Sequence, residues 1–144
     1  DQRAVWLADI DGVTPTAVEE IVRMASPVTH FRRTVTTDGV RLGDHEFAAG
    51  EKVVLWYNSA NRDEAVFEDP DRFDVRRDPN PHVGFGGPGP HFCLGAHLAR
   101  REVGVMFRHL LVRLPDIHST AQPDLLRTNF VNGIKPLPCA WTPA

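Results

Sequence analysis

A glycine- and proline-rich loop that leads one cysteine into a helix constrains this chain more than any other feature. The loop spans residues 83–95 and is followed at once by the helix-forming residues 96–100. The start of a helix offers unpaired backbone N–H groups and the positive end of the helix dipole, and both favour an anion. The sequence therefore predicts that Cys93 is a thiolate.

The residues around this cysteine leave room for a flat, bulky group. Gly86, Gly87, Gly89 and Gly95 carry no side chains, so such a group can approach the backbone on both sides of the sulfur. Two prolines stiffen the loop and remove two N–H donors that would compete for the site. A haem iron suits this setting, because a thiolate ligand pushes electron density toward bound oxygen and favours O–O cleavage.

The loop and the helix after it contain a pattern of nine residues: Phe85, Gly86, Gly89, His91, Cys93, Gly95, Leu98, Ala99 and Arg100. This pattern resembles the haem-binding loop of the cytochrome P450 monooxygenases. The family usually has seven positions from the loop phenylalanine to the cysteine, whereas Phe85 to Cys93 is eight, so this loop carries one extra residue. The longer form resembles that of bacterial members that hydroxylate sterol side chains and methyl-branched lipids.

The resemblance implies a fold class and the portion of the family's domain to which this chain corresponds. It predicts a mainly α-helical protein with small β-sheets, an α+β class, and the C-terminal part of the cytochrome P450 fold. Residues 1–144 would form the C-terminal haem-ligating portion of a single domain. The family's distal, oxygen-activating helix is expected to precede residue 1, so no catalytic residue is expected within this portion.

The resemblance also implies how the cofactor, haem b (iron protoporphyrin IX), is held. Cys93 would be the axial ligand of the iron, with the backbone N–H groups of Leu94 and Gly95 tuning its sulfur. Phe85 and Gly86 are the other expected contacts from the loop.

Two further side chains are expected to pair with the haem propionates. His91 is one of them, and Arg33 is the other, because its spacing to Asp38 matches the family better than that of Arg32. Either arginine taken alone would be read as an exposed strand residue.

A short helix carries Glu20 and Arg23 three residues apart, which places them on one face. Residues 67–73 resemble the family's Pro-x-Arg-Phe segment and supply Arg72. Together these imply a buried triad of Glu20, Arg23 and Arg72, in which one carboxylate between two guanidinium groups locks the loop behind the haem. The role of this triad would be structural, whereas an isolated pair of this kind would be read as a solvated surface contact.

Local signals define the expected helices. A turn at Asp11 precedes a capping box at Thr16, which opens a helix that ends at Ser26. Residues 94–113 form the strongest predicted helix, with an apolar stripe made of Ala99, Val103, Met106, Leu110 and Leu114. Arg101 and Arg108 lie on its other side, where the resemblance implies binding of a ferredoxin-type electron donor; the alternative is a solvated basic face.

Strands are expected in the middle and at the end of the chain. Residues 29–37 should turn at Asp38 into a second strand, and residues 52–57 should form a strand buried on both faces. A turn at Asn132 should form a terminal hairpin that carries Cys139 as a small buried residue.

The composition excludes several classes of protein. A net charge of −3 without a basic cluster argues against a nucleic-acid binder, and the longest apolar runs are too short for a membrane span. Two cysteines do not suggest a disulfide framework, and no secretion signal is visible, so the expected location is the cytoplasm.

The leading hypothesis is a haem-thiolate monooxygenase that inserts one oxygen atom from O₂ into a C–H bond of a hydrophobic substrate, a sterol or a branched lipid. The first alternative is a non-enzymatic module that associates with itself through the apolar surface of half a haem pocket. The second is a zinc site at His91, Cys93 and His97, with Cys139 or His82 as a fourth ligand.

Overall fold

Four α-helices and three two-stranded antiparallel sheets form the part of the chain that the computed structural model describes, residues 1–142. The elements in order are α1 (Gln2–Ala8), α2 (Ile10–Ala25), β1 (His30–Thr34), β2 (Val40–Leu42), β3 (His45–Phe47), β4 (Lys52–Trp56), α3 (Tyr57–Ala60), α4 (Ala96–Arg113), β5 (His118–Ser119) and β6 (Cys139–Ala140). The helices pack together, with α2 against both α1 and α4. The predicted α+β class is confirmed.

Helix α2 begins six residues before the predicted capping box. Its N-cap is Asp9, whose side chain accepts a hydrogen bond from the Gly12 N–H at 2.9 Å. Pro15 lies inside the helix, where its missing N–H removes the hydrogen bond that would run to the Asp11 carbonyl. The capping box at Thr16 is therefore wrong: that hydroxyl lies 2.6 Å from the Val75 carbonyl, to which it donates, and 3.0 Å from the Val13 carbonyl.

The C-terminal end of α2 is as predicted. Ser26 follows the helix in the left-handed conformation, with φ of 37°, and its N–H donates to the Val22 carbonyl at 3.0 Å. Its hydroxyl donates to the carbonyl of Arg23 at 2.8 Å.

The main hydrophobic core lies where α1, α2 and α4 meet the irregular segment before the cysteine loop. Its buried members are Trp6, Val13, Ala17, Val75 and Leu111. On α4 the predicted stripe is wrong at Met106, which is exposed, while Phe107 stacks on Trp6 with ring centroids 5.3 Å apart. The reason is a close approach of α4 to α2 at Gly104, which turns position 106 away from the contact.

The sheets pair differently from the sequence prediction. β1 pairs with β4, with His30 opposite Trp56, and the β2–β3 hairpin forms a separate sheet between them. The chain does turn at Asp38 and Gly39 as predicted, with φ of +74° at Gly39, but the expected pairing of the strands on either side of that turn is wrong, and the β2–β3 hairpin turns at Gly43, whose φ is +59°. β4 is largely exposed rather than buried, because a two-stranded sheet covers little of its surface.

The C-terminal hairpin forms, with β5 paired to β6 and a further bridge between Leu125 and Ile134. Its loop lies at residues 127–132, and the Phe130 carbonyl accepts a hydrogen bond from the Thr29 N–H at 2.9 Å. This contact brings the hairpin tip to the start of β1. Cys139 is exposed, so its predicted burial is wrong; the short β5–β6 pair leaves it uncovered. No helix among residues 1–142 is both long and apolar enough to span a membrane.

Candidate functional site

The cysteine loop is held by hydrogen bonds within its own backbone. The Cys93 N–H donates to the Phe85 carbonyl at 2.9 Å, and the Gly86 N–H donates to the Val83 carbonyl at 2.8 Å. Gly86 has φ of +88° and Gly89 has φ of +138°, conformations that residues with a side chain rarely adopt. The loop thus turns back on itself and leaves Cys93 exposed.

Helix α4 starts two residues later than the sequence predicted. Gly95 is its N-cap, and the Ala96 N–H donates to the carbonyl of Cys93 at 3.2 Å, which makes a tight turn before the helix. A Cβ atom at Gly95 would lie 3.9 Å from the Cys93 sulfur, so the backbone passes close to it. Donation from the Leu94 and Gly95 N–H groups to this sulfur stays a prediction.

Five of the predicted cofactor contacts line a single cavity of about 290 Å³. These are Cys93, His91, Arg33, Phe85 and Gly86, and the remaining walls are Val28, Phe31, Tyr57 and Gly84. A neighbouring cavity of about 470 Å³ shares Arg33, Gly86 and His91. The structure therefore brings a β1 residue to the cysteine loop, although some 60 positions separate Arg33 from Cys93 in the sequence.

The residues of this cavity fit a haem. Cys93 lines a space with apolar walls at Val28 and Phe31, and the nitrogen donors of Arg33 and His91 can bind carboxylates there. A Cβ atom at Gly86 would narrow the cavity, since it would lie 3.7 Å from both the His91 carbonyl and the Tyr57 hydroxyl. Thiolate ligands and cationic partners for propionates are the donor set that a haem requires.

Behind this loop, Glu20 and Arg23 form a fully buried ion pair. The guanidinium donates twice to the carboxylate, through Nε and Nη2, each at 2.8 Å. Arg23 Nη1 also donates to the carbonyls of Asn61 and Pro70, each at 2.7 Å. Burial raises the pKa of Glu20, but the hydrogen bonds from Arg23 and from the Asp74 N–H outweigh it and hold this pKa below its usual range.

The third member of this network is Arg77 and not Arg72. The Arg72 side chain is 62% exposed and reaches only Asp74, at 4.0 Å; its contribution is a carbonyl that accepts from Arg23 at 3.2 Å. Arg77 Nε lies 3.2 Å from Glu20 Oε2, and its side chain is 11% exposed. A turn closed by the Arg77 N–H and the Asp74 carbonyl, at 3.0 Å, carries Arg77 inward.

The sequence assigned no structural role around the cysteine loop to six residues: Glu19, Asn61, Arg77, Asn80, His82 and Arg100. Asn61 is fully buried and joins two segments, because its Nδ2 donates to the Ser26 hydroxyl and its Oδ1 accepts from the Val83 N–H. Glu19 and Arg100 form an ion pair that also contacts His82. Arg100 belongs to the loop pattern, which was the available signal; nothing in the local sequence marks Asn61.

With this geometry established, comparison with known proteins identifies the family. The sequence model described as Cytochrome P450 matches residues 12–138. The chain belongs to the cytochrome P450 family. The resemblance of the cysteine loop to this family is thereby confirmed.

Two curated relatives and one solved structure show which P450s this chain is similar to. It is 56% identical over 142 residues to a methyl-branched lipid omega-hydroxylase of Mycobacterium bovis, covering 99% of this chain and 33% of the relative. It is 50% identical over 120 residues to a steroid C26-monooxygenase of Rhodococcus jostii, covering 83% and 25%. The chain thus spans about a third or less of the length of these curated relatives.

The solved structure is Mycobacterium marinum cytochrome P450 CYP268A2 in complex with pseudoionone. It superposes with a TM-score of 0.93 at 53% identity, over 97% of this chain and 33% of that one. The predicted P450 fold is thereby confirmed.

One of the two arginines on the basic face of α4 already forms an ion pair within the protein. Arg101 is exposed, whereas Arg108 is paired with Asp11 at the start of α2. The two arginines proposed for an electron donor therefore differ in how readily they can bind an acidic partner.

Proposed function

We propose that this chain binds haem b through Cys93 and forms the haem-thiolate part of a monooxygenase acting on a hydrophobic substrate. The observation that carries the proposal is that Arg33, from β1, lines the same cavity as Cys93 and His91 of the cysteine loop. The named relatives support a sterol or methyl-branched lipid as the substrate class.

Each residue has a task in this proposal. Cys93 ligates the iron, and Arg33 and His91 bind and orient the two propionates at the cavity edge. Val28 and Phe31 exclude water from the same space. When bound, the haem would supply the chemistry by which one oxygen atom from O₂ enters a C–H bond.

A buried framework would hold this ligand in place. Glu20, Arg23 and Arg77 fix the irregular segment beneath the loop, and Asn61 anchors the loop at Val83. None of these side chains lines the cysteine cavity, so we assign them a structural role. Electrons would arrive from a ferredoxin-type donor near Arg101 and Arg108, since a basic face attracts an acidic partner.

A carbon monoxide difference spectrum tests the proposal. The protein is loaded with haem, reduced under carbon monoxide, and its Soret band recorded for wild type, Cys93→Ser and Cys139→Ser. We expect a strongly red-shifted band in wild type and in Cys139→Ser, which alters the other exposed cysteine, and its loss in Cys93→Ser. An unshifted carbonyl band in wild type, or an unchanged band in Cys93→Ser, would contradict ligation by Cys93.

One observation favours a second candidate, a module that associates with itself. Helix α4 and the residue before its cap expose several large apolar side chains, namely Leu94, Leu98, Val105, Met106 and Val112. Light scattering distinguishes the candidates: a haem-free oligomer supports self-association, and a haem-loaded monomer contradicts it. The zinc alternative receives no support, since residues 1–142 contain no group of three or more His, Cys, Asp or Glu side chains placed to hold a metal ion.

A further inference from the structure

A second charged cluster lies between α2, the irregular segment and α4. Glu19 accepts two hydrogen bonds from Arg100, from Nε to Oε1 at 2.6 Å and from Nη2 to Oε2 at 2.9 Å. His82 Nε2 lies 2.9 Å from the same Oε2, and its side chain is only 3% exposed. Side chains from three segments thus meet at one carboxylate.

The hydrogen bonds of His82 set the charge of this cluster. Its Nδ1 accepts a hydrogen bond from the Gly84 N–H at 3.0 Å, so that nitrogen carries no proton. The proton therefore resides on Nε2 and is donated to Glu19, which leaves the imidazole neutral. The cluster then contains one anion, Glu19, and one cation, Arg100.

Arg100 lies directly behind the cysteine loop. Its guanidinium carbon is 4.5 Å from the centroid of the Phe85 ring, and the Phe85 carbonyl accepts the hydrogen bond from the Cys93 N–H. Hydrogen bonds to Glu19 raise the pKa of Arg100 against the opposing effect of burial, and an electrostatic interaction with the Cys93 side chain adds to the rise. Phe85 thus contacts both the guanidinium of Arg100 and the backbone of Cys93.

We propose that Arg100 is a positioning residue for the haem-thiolate unit, held by Glu19 and Phe85 so that its positive charge stabilises negative charge at Cys93. This inference rests on the proposed function. Reduction of a bound haem iron adds one negative charge near the sulfur, so a fixed cation there raises the reduction potential. Glu19 opposes the effect, because its carboxylate partly cancels the charge of Arg100.

The test compares a variant that removes the cation with one that removes the anion, because the two should shift the reduction potential in opposite directions. In the haem-loaded protein as the cell makes it, Arg100→Gln removes the cation and should lower the midpoint potential. Glu19→Gln removes the anion, keeps one oxygen that can accept from both His82 Nε2 and Arg100 Nη2, and should raise the potential. For a partly buried charge beside the loop that carries the ligand, we expect a threefold to tenfold change in the ferrous-to-ferric ratio, where tenfold is about 59 mV for one electron.

Two controls separate charge from loosened structure. Arg113→Gln makes the same substitution at the other end of α4, about 20 Å along the helix, and should leave the potential unchanged. Arg100→Lys keeps the charge but loses the planar fork, and should stay nearer to wild type than Arg100→Gln. If Arg100→Gln fails to retain haem, the sign of the shift in Glu19→Gln decides the question alone.

The outcomes distinguish this inference from the proposed function. A wild-type protein without the red-shifted carbon monoxide band would overturn the proposed function, and this inference with it. If wild type shows the band, shifts of opposite sign support the role of Arg100. Shifts of the same sign, or shifts no larger than that of Arg113→Gln, overturn the inference and leave the proposed function intact.

Discussion

Replacing Arg77 and Arg72 one at a time tests which arginine completes the buried network. Arg77→Met removes a nearly buried guanidinium that contacts Glu20 at 3.2 Å and donates to the carbonyls of Glu68, Asp69 and Arg72. Arg72→Met removes an exposed side chain whose one charged contact, to Asp74, is 4.0 Å long. The two variants make the same chemical change five positions apart.

The expected magnitudes differ several-fold. Glu20 keeps the two hydrogen bonds from Arg23 in either variant, so its charge is not left unpaired. Loss of Arg77 then costs about 2–3 kcal/mol of unfolding free energy, the range for hydrogen bonds that involve a buried charge. Loss of Arg72 costs about 0.5 kcal/mol or less, as for an exposed ion pair.

Urea unfolding at pH 7, followed by circular dichroism, measures both values. A loss of about 2–3 kcal/mol lowers the midpoint by about 0.7–3 M, at an unchanged slope of about 1–3 kcal/mol per M. A double-mutant cycle with Glu20→Gln should show coupling to Arg77 and none to Arg72. An equal loss in the two variants, or coupling of Glu20 to Arg72, would refute the assignment.

Three further predictions follow from the same framework. Glu20→Gln leaves two buried guanidinium groups uncompensated, costs about 3–5 kcal/mol, and should yield protein without haem; normal haem content would contradict this. Gly84→Ala forces a Cβ to 2.6 Å from Val22 and should cost about 1–3 kcal/mol, whereas Gly87→Ala, with open space, should stay within about 0.5 kcal/mol. The folded pKa values of Glu19 and Glu20 lie below the unfolded value of 4.5. The contribution of these two carboxylates to the free energy of unfolding is therefore complete well above pH 4.5 and is lost as the pH falls through the lowered values. A free energy of unfolding that stays constant between pH 6 and pH 3 would contradict this.

Features set by neighbouring residues could be read from the sequence. The glycines of the cysteine loop demand a backbone path that few other residues allow, and the three-residue spacing of Glu20 and Arg23 on a helix places them side by side. The end of α2 at Ser26 follows from a similarly short-range signal. The terminal hairpin forms, but its loop is residues 127–132 and not the two-residue turn predicted at Asn132. The fold class and the position of Cys93 were therefore accessible without coordinates.

Features that depend on distant segments were not accessible in this way. Arg77 replaces Arg72 beside Glu20 because a turn in an irregular segment, set by its own packing, selects which arginine points inward. The pairing of β1 with β4, and the meeting of Glu19, His82 and Arg100, likewise join residues far apart in the chain. Backbone sterics within residues 83–95 determined the conformation of the loop that presents the cysteine. Tertiary packing alone decided which charged side chains lie behind that loop, because charge contacts depend on distances between segments that are far apart in the sequence.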